Sequence, residues 1–306
     1  MISCTEFIPL YSELFRYLEE LGGHEEVARH WEYISDGTIS DSLGAHVSAK
    51  GIRGCWDYWS KSLNEEACDF RMELDEEAGT FLIDMRRCPS KGHLLEYPHV
   101  EPYWDYCGHC PALYDRVLAK YGIFPVAHDL SHTEEARCRL LYKTDKKIPG
   151  GAKLSMDRLA SDNEYFHPTF HISKNRGLDY LGTRWGGEHV VRHLTRFARS
   201  FYGPLIGRIR EEGLSAFREH IENTYAVEKT PEAVCCRLSE ESESLHVTVS
   251  NCPGIRCIRE KGYEVSPWYP EEIATVFRVI AEDAGYRFEM LRYDIQTGDC
   301  EYRVFR

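Results

Sequence analysis

The chain has 306 residues, 42% of them hydrophobic and 28% charged, with a formal net charge of −13. That length buries one large core or two medium ones, and the acidic balance repels phosphate backbones, so no nucleic-acid partner is expected. No run approaches the ~18 apolar residues of a membrane span, and the opening "MISCTEFIPLYSELF" lacks the basic start of an export signal, so no membrane partner and a cytoplasmic location are expected.

Taken in chain order, the first predicted elements are helical, around "YLEELGGHEEVARHW" (Tyr17 to Trp31). "ACDFRMEL" and "GTFLIDMRRC" then alternate with period two and read as strands. A helix follows over about 110–121, closed by Gly122 in C-cap position. Two more strands end this series, the last carrying Cys138. "KTDKKIPGGAK", Lys143 to Lys153, has linker composition. Helices return beyond it, where Val190, Leu194, Phe197, Phe201 and Leu205 form one apolar stripe, broken at Gly213 and resumed in "LSAFREHIENTY". The strands "EAVCCRLS" and "SLHVTVSNC", a helix over about 270–284 closed by Gly285, and two last strands complete the chain.

The second series repeats the first. "YLGTRWGGEHVVRHL" (Tyr180 to Leu194) matches the N-terminal segment, Cys88-Pro89 matches Cys252-Pro253, "PYW" at Pro102 matches "PWY" at Pro267, and Cys138 matches Cys300, at offsets of 162 to 165. Four separate segments at a nearly constant offset point to a tandem duplication. The expected fold class is α+β: two pseudo-symmetric repeats, 1–148 and 149–306, each of helices followed by a ββαββ, mostly antiparallel, four-stranded sheet. Such a chain is a pseudo-dimer about an internal approximate two-fold axis; its own oligomeric state is left open.

Without an export signal, the twelve cysteines are expected to be free thiols or metal ligands. Cys107 and Cys110 in "WDYCGHC" have the spacing of a redox pair. A thioredoxin-type pair needs a buried strand just before it, and "EYPHVEPYWDY" is too rich in Pro and Glu for one. The same spacing suits a metal. Cys88 ends the preceding strand and Cys138 lies in the last one, so four sulfurs converge if that strand neighbours the CxxC segment; zinc or another transition metal is the implied cofactor. The bland reading is buried small thiols. A second metal candidate is the i,i+4 histidine pairs, His167 with His171 and His189 with His193, although Pro168 sets His167 at a helix start.

Arg29-His30 recurs as Arg192-His193. The pair either packs at the pseudo-two-fold or grips an anionic substrate, Arg as a fork and His by proton transfer, with Glu26 and Glu188 orienting the imidazoles. Trp56, Trp59, Trp104, Tyr106 and Trp268 either line a ligand pocket or belong to the core.

On Cys88-Pro89, Cys252-Pro253, the helix-ending Gly122 and Gly285, and the late Cys138 and Cys300, each repeat resembles the L-2-amino-thiazoline-4-carboxylic acid hydrolase family and, more remotely, the 4-vinyl reductase small-molecule-binding domain, over residues 45–143 and 165–306. The resemblance implies an α+β small-molecule domain and an activity that opens a cyclic C–N bond. The leading expectation is therefore a hydrolase of a small polar or heterocyclic substrate. Its catalytic candidates are Cys88, Cys107, Cys110, His93 and His109 in the first repeat, and its substrate-binding candidates are Arg29, His30, Arg192, His193 and Trp104. The alternatives are a noncatalytic sensor or carrier of a small molecule and a metal-dependent enzyme with Cys/His ligands.

Overall fold

The computed structural model describes residues 1–306. The chain forms two compact units, one of Leu18–His167 and one of Met1–Tyr17 with Pro168–Arg306. In chain order the elements are α1 (Phe7–Gly22), α2 (His24–Ile34), a π-helical stretch Ser35–Gly44, α3 (Ala45–Lys50), α4 (Arg53–Glu65), β1 (Asp69–Asp75), β2 (Thr80–Arg87), α5 (Pro89–Leu94), α6 (His109–Ala119), β3 (Ile123–Asp129), β4 (Cys138–Thr144) and β5 (Lys153–Arg158). Then come α7 (Phe170–Trp185), α8 (Gly187–Phe201), α9 (Gly203–Glu212), α10 (Leu214–Val227), β6 (Val234–Ser239), β7 (Ser244–Val249), α11 (Pro253–Glu260), α12 (Glu271–Asp283), β8 (Arg287–Tyr293) and β9 (Cys300–Phe305). The fold is α+β, as the sequence pattern implies. No helix is long and apolar enough to cross a membrane.

In the unit of Leu18–His167 the sheet is antiparallel in the order β3-β4-β2-β1-β5. Alternate residues Phe70, Met72, Leu74, Phe81 and Ile83 are buried, each at 2% exposure or less. Each contributes about 2 kcal/mol by burial, so a one-residue slip, which would turn them all to solvent, is excluded. Helix α4 lays Trp59 on Phe81, ring centroids 5.5 Å apart, which places Trp59 in the core rather than in a ligand pocket.

The other unit carries a sheet in the order β6-β7-β9-β8. This is the order of β1-β2-β4-β3, strand for strand. The bulge in β3 between Pro125 and Ala127 has a counterpart in β8 between Met290 and Arg292. Phe277 of α12 meets Tyr302 of β9 edge-on at 5.7 Å. Phe7 of α1 stacks on Phe170 of α7 at 4.6 Å.

Three features depart from the sequence expectation. The first sheet has five strands, because Lys153–Arg158 pairs with β1 in the register Met72↔Met156. Its polar alternation, just after a Gly-Gly pair, hides it in linker composition. The helical stripe that includes Leu205 ends at Phe201, and Gly203-Pro204 opens a new helix in which Ile206 and Ile209 are buried; proline lacks the N–H that would continue the ladder. Finally, α7 begins at Phe170, so His167 lies ahead of the helix.

Candidate functional site

Both Cys-Pro pairs are helix starts. Cys88 follows β2 as the N-cap of α5 with Pro89 at its first position, and Cys252 and Pro253 do the same for α11. Proline suits that position because its missing N–H would have had no partner. In the unit of Leu18–His167, strand β4 runs beside β2 with Met85 opposite Cys138, which brings Cys138 to the strand end that leads into Cys88. Cys107 lies in the turn Tyr106–Gly108 and Cys110 in the first turn of α6. Four separate elements thus deliver four thiols to one small cavity, with His109 and Lys91 also in its wall. The cavity is small, ≈ 20 Å³.

All twelve cysteines are free thiols. Burial pushes up the four in the cavity: Cys107 to about 12, Cys110 well above the ordinary thiol value, and Cys88 and Cys138 likewise upward. The negative charge each would feel from its neighbours adds to the effect, while the amides of Lys91, Ser90 and Gly92 partly oppose it at Cys88. The thiols are therefore protonated at neutral pH. Burial lowers His109 to about 4, so its imidazole is neutral. Its Nδ1 donates to the Tyr106 carbonyl, which leaves the Nε2 lone pair facing Cys110 Sγ at 3.5 Å. Lys91, 5% exposed, holds its Nζ 3.5 Å from Glu134.

Glu66 belongs to this neighbourhood and was missed from sequence. Desolvation raises its carboxyl to about 7, and its charge in turn raises Cys88 and Cys110. It follows the end of α4, where nothing in the local pattern separates it from a solvated glutamate.

The four sulfurs are not drawn tight: no three ligand atoms of the cavity lie within 4.8 Å of one another. The group that meets this distance is in the other unit and consists of Cys4, His171 and Glu228, all buried. Glu228 Oε1 accepts from the Cys4 amide at 2.6 Å, and its two oxygens lie 3.0 and 3.1 Å from His171 Nε2. Burial would raise Glu228, but the charge and hydrogen bond of His171 outweigh it and hold the carboxyl at about 2. His171 is legible in the sequence as one of an i,i+4 histidine pair, whereas Cys4 and Glu228 are not. A signal existed, since Glu65 at the end of α4 and Glu228 just past α10 stand at the repeat offset, and each pairs with a histidine: His167 Nδ1 lies 2.7 Å from Glu65 Oε2.

In the unit of Met1–Tyr17 with Pro168–Arg306, the place of the thiol cavity is filled. Cys252 Sγ lies 3.5 Å from Met1 Sδ, and α12 carries Glu272 where α6 carries His109. Glu272 accepts from the Ile2 amide at 2.6 Å and from Lys174 Nζ at 2.7 Å.

The remaining candidates are dispersed. His93 turns from the cavity toward Glu96, at 3.1 Å, and stacks on Tyr165. Trp104 is 68% exposed and donates to Glu19 at 2.9 Å. His30 and His193 are fully buried and lowered to about 3 by desolvation, whereas Arg29 and Arg192 are exposed, so neighbouring residues of each pair face opposite ways. Glu26 binds Arg29 at 2.9 Å, and Glu188 lies 3.6 Å from His189. His189 accepts or donates at Tyr17 Oη, 2.9 Å away, and shares no ligand position with His193.

Compared with protein-family models, with curated proteins and with solved structures, the chain finds no match.

Proposed function

We propose that the unit of Leu18–His167 is a metal-binding module that takes one soft divalent ion of the zinc class through Cys88, Cys107, Cys110 and Cys138. The observation that carries this reading is the pairing of four thiols with a cavity of ≈ 20 Å³. Pockets for organic ligands hold roughly 300–1,000 Å³, so the space suits an ion and not a heterocycle. Four protonated thiols in a dry wall are a poor nucleophile set. An ion replaces their protons, because thiolate ligation and deprotonation are one event, and it draws inward sulfurs that otherwise stand wider than ligand spacing. An ion with four thiolates carries two negative charges, and Lys91 and Arg137 in the same wall offset them. His109, its tautomer fixed by Tyr106, is a fifth donor available to the ion or to a Cys110 thiol.

The test is metal analysis of the purified full chain beside Cys107→Ser/Cys110→Ser, with cobalt replacing the native ion. The wild-type chain is expected to hold about one ion more than the variant, with the intense sulfur-to-cobalt absorption of a multi-thiolate site. Equal metal content and identical cobalt spectra overturn the reading.

A second reading keeps the hydrolase expectation. It is favoured by the 3.5 Å approach of His109 Nε2 to Cys110 Sγ, the arrangement of a base and its nucleophile. Under it, metal-stripped protein turns over a cyclic C–N substrate, and Cys110→Ser abolishes the turnover.

A further inference from the structure

The geometry points to a second cation site, separate from the thiol cavity, where Cys4, His171 and Glu228 take one borderline divalent ion. One atom from each of the three residues lies within 4.8 Å of the others, and all three are buried. One thiolate and one carboxylate neutralise a divalent charge, so the loaded site adds no net charge to the interior, which is what a dry location demands. Thiolate, imidazole and carboxylate together suit zinc or cobalt better than magnesium or calcium, which prefer oxygen alone.

A second observation concerns the far side of the imidazole. His171 Nδ1 and Tyr269 Oη are both buried, and neither has a hydrogen-bond partner. They converge over Gly254, where an added Cβ would stand 3.0 Å from Nδ1 and 2.3 Å from Oη. A ligating histidine directs its other N–H to an outer acceptor, and Tyr269 Oη, beside the same glycine, is the candidate for that role. On loading, the charged imidazole gives up its Nε2 proton and the Cys4 thiol its own, both to solvent, and the ion takes the two vacated lone pairs while the Nδ1–H stays in place.

The arrangement occurs once. At the positions related by the 163-residue offset stand His167, Ile8 and Glu65, so the counterpart of His171 is apolar. The rival account is an ion-free His171–Glu228 pair that serves packing alone.

The experiment uses the full chain carrying Cys107→Ser/Cys110→Ser, stripped with a chelator and titrated with zinc against a chromophoric competitor and with cobalt by absorption. The expected result is uptake of about one ion with a weak single-thiolate band. Adding Cys4→Ser should remove that band and weaken binding at least ~10-fold, and Gly254→Ala should weaken it through the outer pair. Adding Cys257→Ser should change neither. No uptake by a double variant that melts cooperatively overturns the site, as does unchanged uptake after Cys4→Ser. Should the double variant fail to fold, cadmium NMR of the wild-type chain decides: a resonance in the range of one-sulfur sites supports the site, and its absence overturns it. Because the thiol cavity is disabled or spectrally distinct throughout, failure there leaves this outcome readable.

Discussion

His109 Nε2 faces Cys110 Sγ at 3.5 Å while its Nδ1 is spent on the Tyr106 carbonyl. A neutral imidazole beside a thiol usually signals a nucleophile, but here burial lowers the base to about 4 and lifts the thiol far above neutrality. Proton transfer from sulfur to nitrogen is therefore uphill by several powers of ten, and the resting pair is thiol and imidazole.

Thiol reactivity follows from that balance. Native chain treated with iodoacetamide near pH 7 should label exposed Cys235 at least ~10-fold faster than Cys107 or Cys110, since the thiolate is the reacting form and both cavity thiols are protonated. Peptide mapping by mass spectrometry reads the rates. Labelling of Cys110 as fast as Cys235 would mean a thiolate at rest and would favour the hydrolase reading.

Glu66 gives a pH signature of opposite sense to ordinary carboxylates. Its folded value of about 7 lies above the ordinary 4.5, so between those values the native chain holds a proton that the unfolded chain has lost. Its contribution is complete below pH 4.5 and disappears as pH rises to about 7. The wild-type chain should lose about 2 kcal/mol across this window from this group, after solvent screening is allowed for. Glu66→Gln should flatten the slope in urea melts collected from pH 4.5 to 7.5; an unchanged slope would remove Glu66 from the buried set.

The buried histidines act at the acid end. His30 and His193 fall from 6.5 to about 3 on folding, so the unfolded chain binds protons first as the solution is acidified. Their contribution is whole above pH 6.5 and erodes as pH falls toward 3. Both ring nitrogens of His193 are buried without partners, an arrangement that costs ~1–3 kcal/mol. His193→Leu should therefore raise the melting temperature at pH 5 and leave it level or higher at pH 7.5. A clear loss at both pH values would show that the imidazole is hydrogen-bonded in solution.

Local pattern was enough for every strand but one and for the helix-ending glycines, while it left the meeting of Cys88, Cys107, Cys110 and Cys138 conditional on which strand neighbours the CxxC segment. The strands and glycines rest on short-range signals, period-two alternation and a C-cap glycine, whereas the pairing of β2 with β4 spans the intervening helices and β3. Strand β5 escaped because its alternation is polar and it joins the edge beyond β1, where no apolar face announces pairing. Cys4, His171 and Glu228 escaped because they are brought together across 57 to 224 positions of chain. His30 and His193 were legible as repeated residues, but not as core residues. Their helices bury the histidine and expose the arginine beside it, a choice of face set by packing.

Lys91 offers the sharpest separation of the two readings of the cavity. It is 5% exposed, its Nζ reaches Glu134 only at 3.5 Å, and its charge opposes the upward shift of Cys107. Around a metal with four thiolates, that ammonium compensates excess negative charge. Lys91→Met keeps the length and apolar stem of the side chain and removes only the charge. In the metal-site reading this should weaken zinc affinity by ~10–100-fold, the usual range for an outer group, while leaving the number of ions bound at saturating zinc unchanged. In the hydrolase reading the same change would act on turnover in stripped protein and leave zinc competition untouched. Competition titrations of wild-type and Lys91→Met chains, run beside Cys107→Ser/Cys110→Ser, tell these apart, and equal zinc affinities for wild type and Lys91→Met would sink the charge-compensation argument.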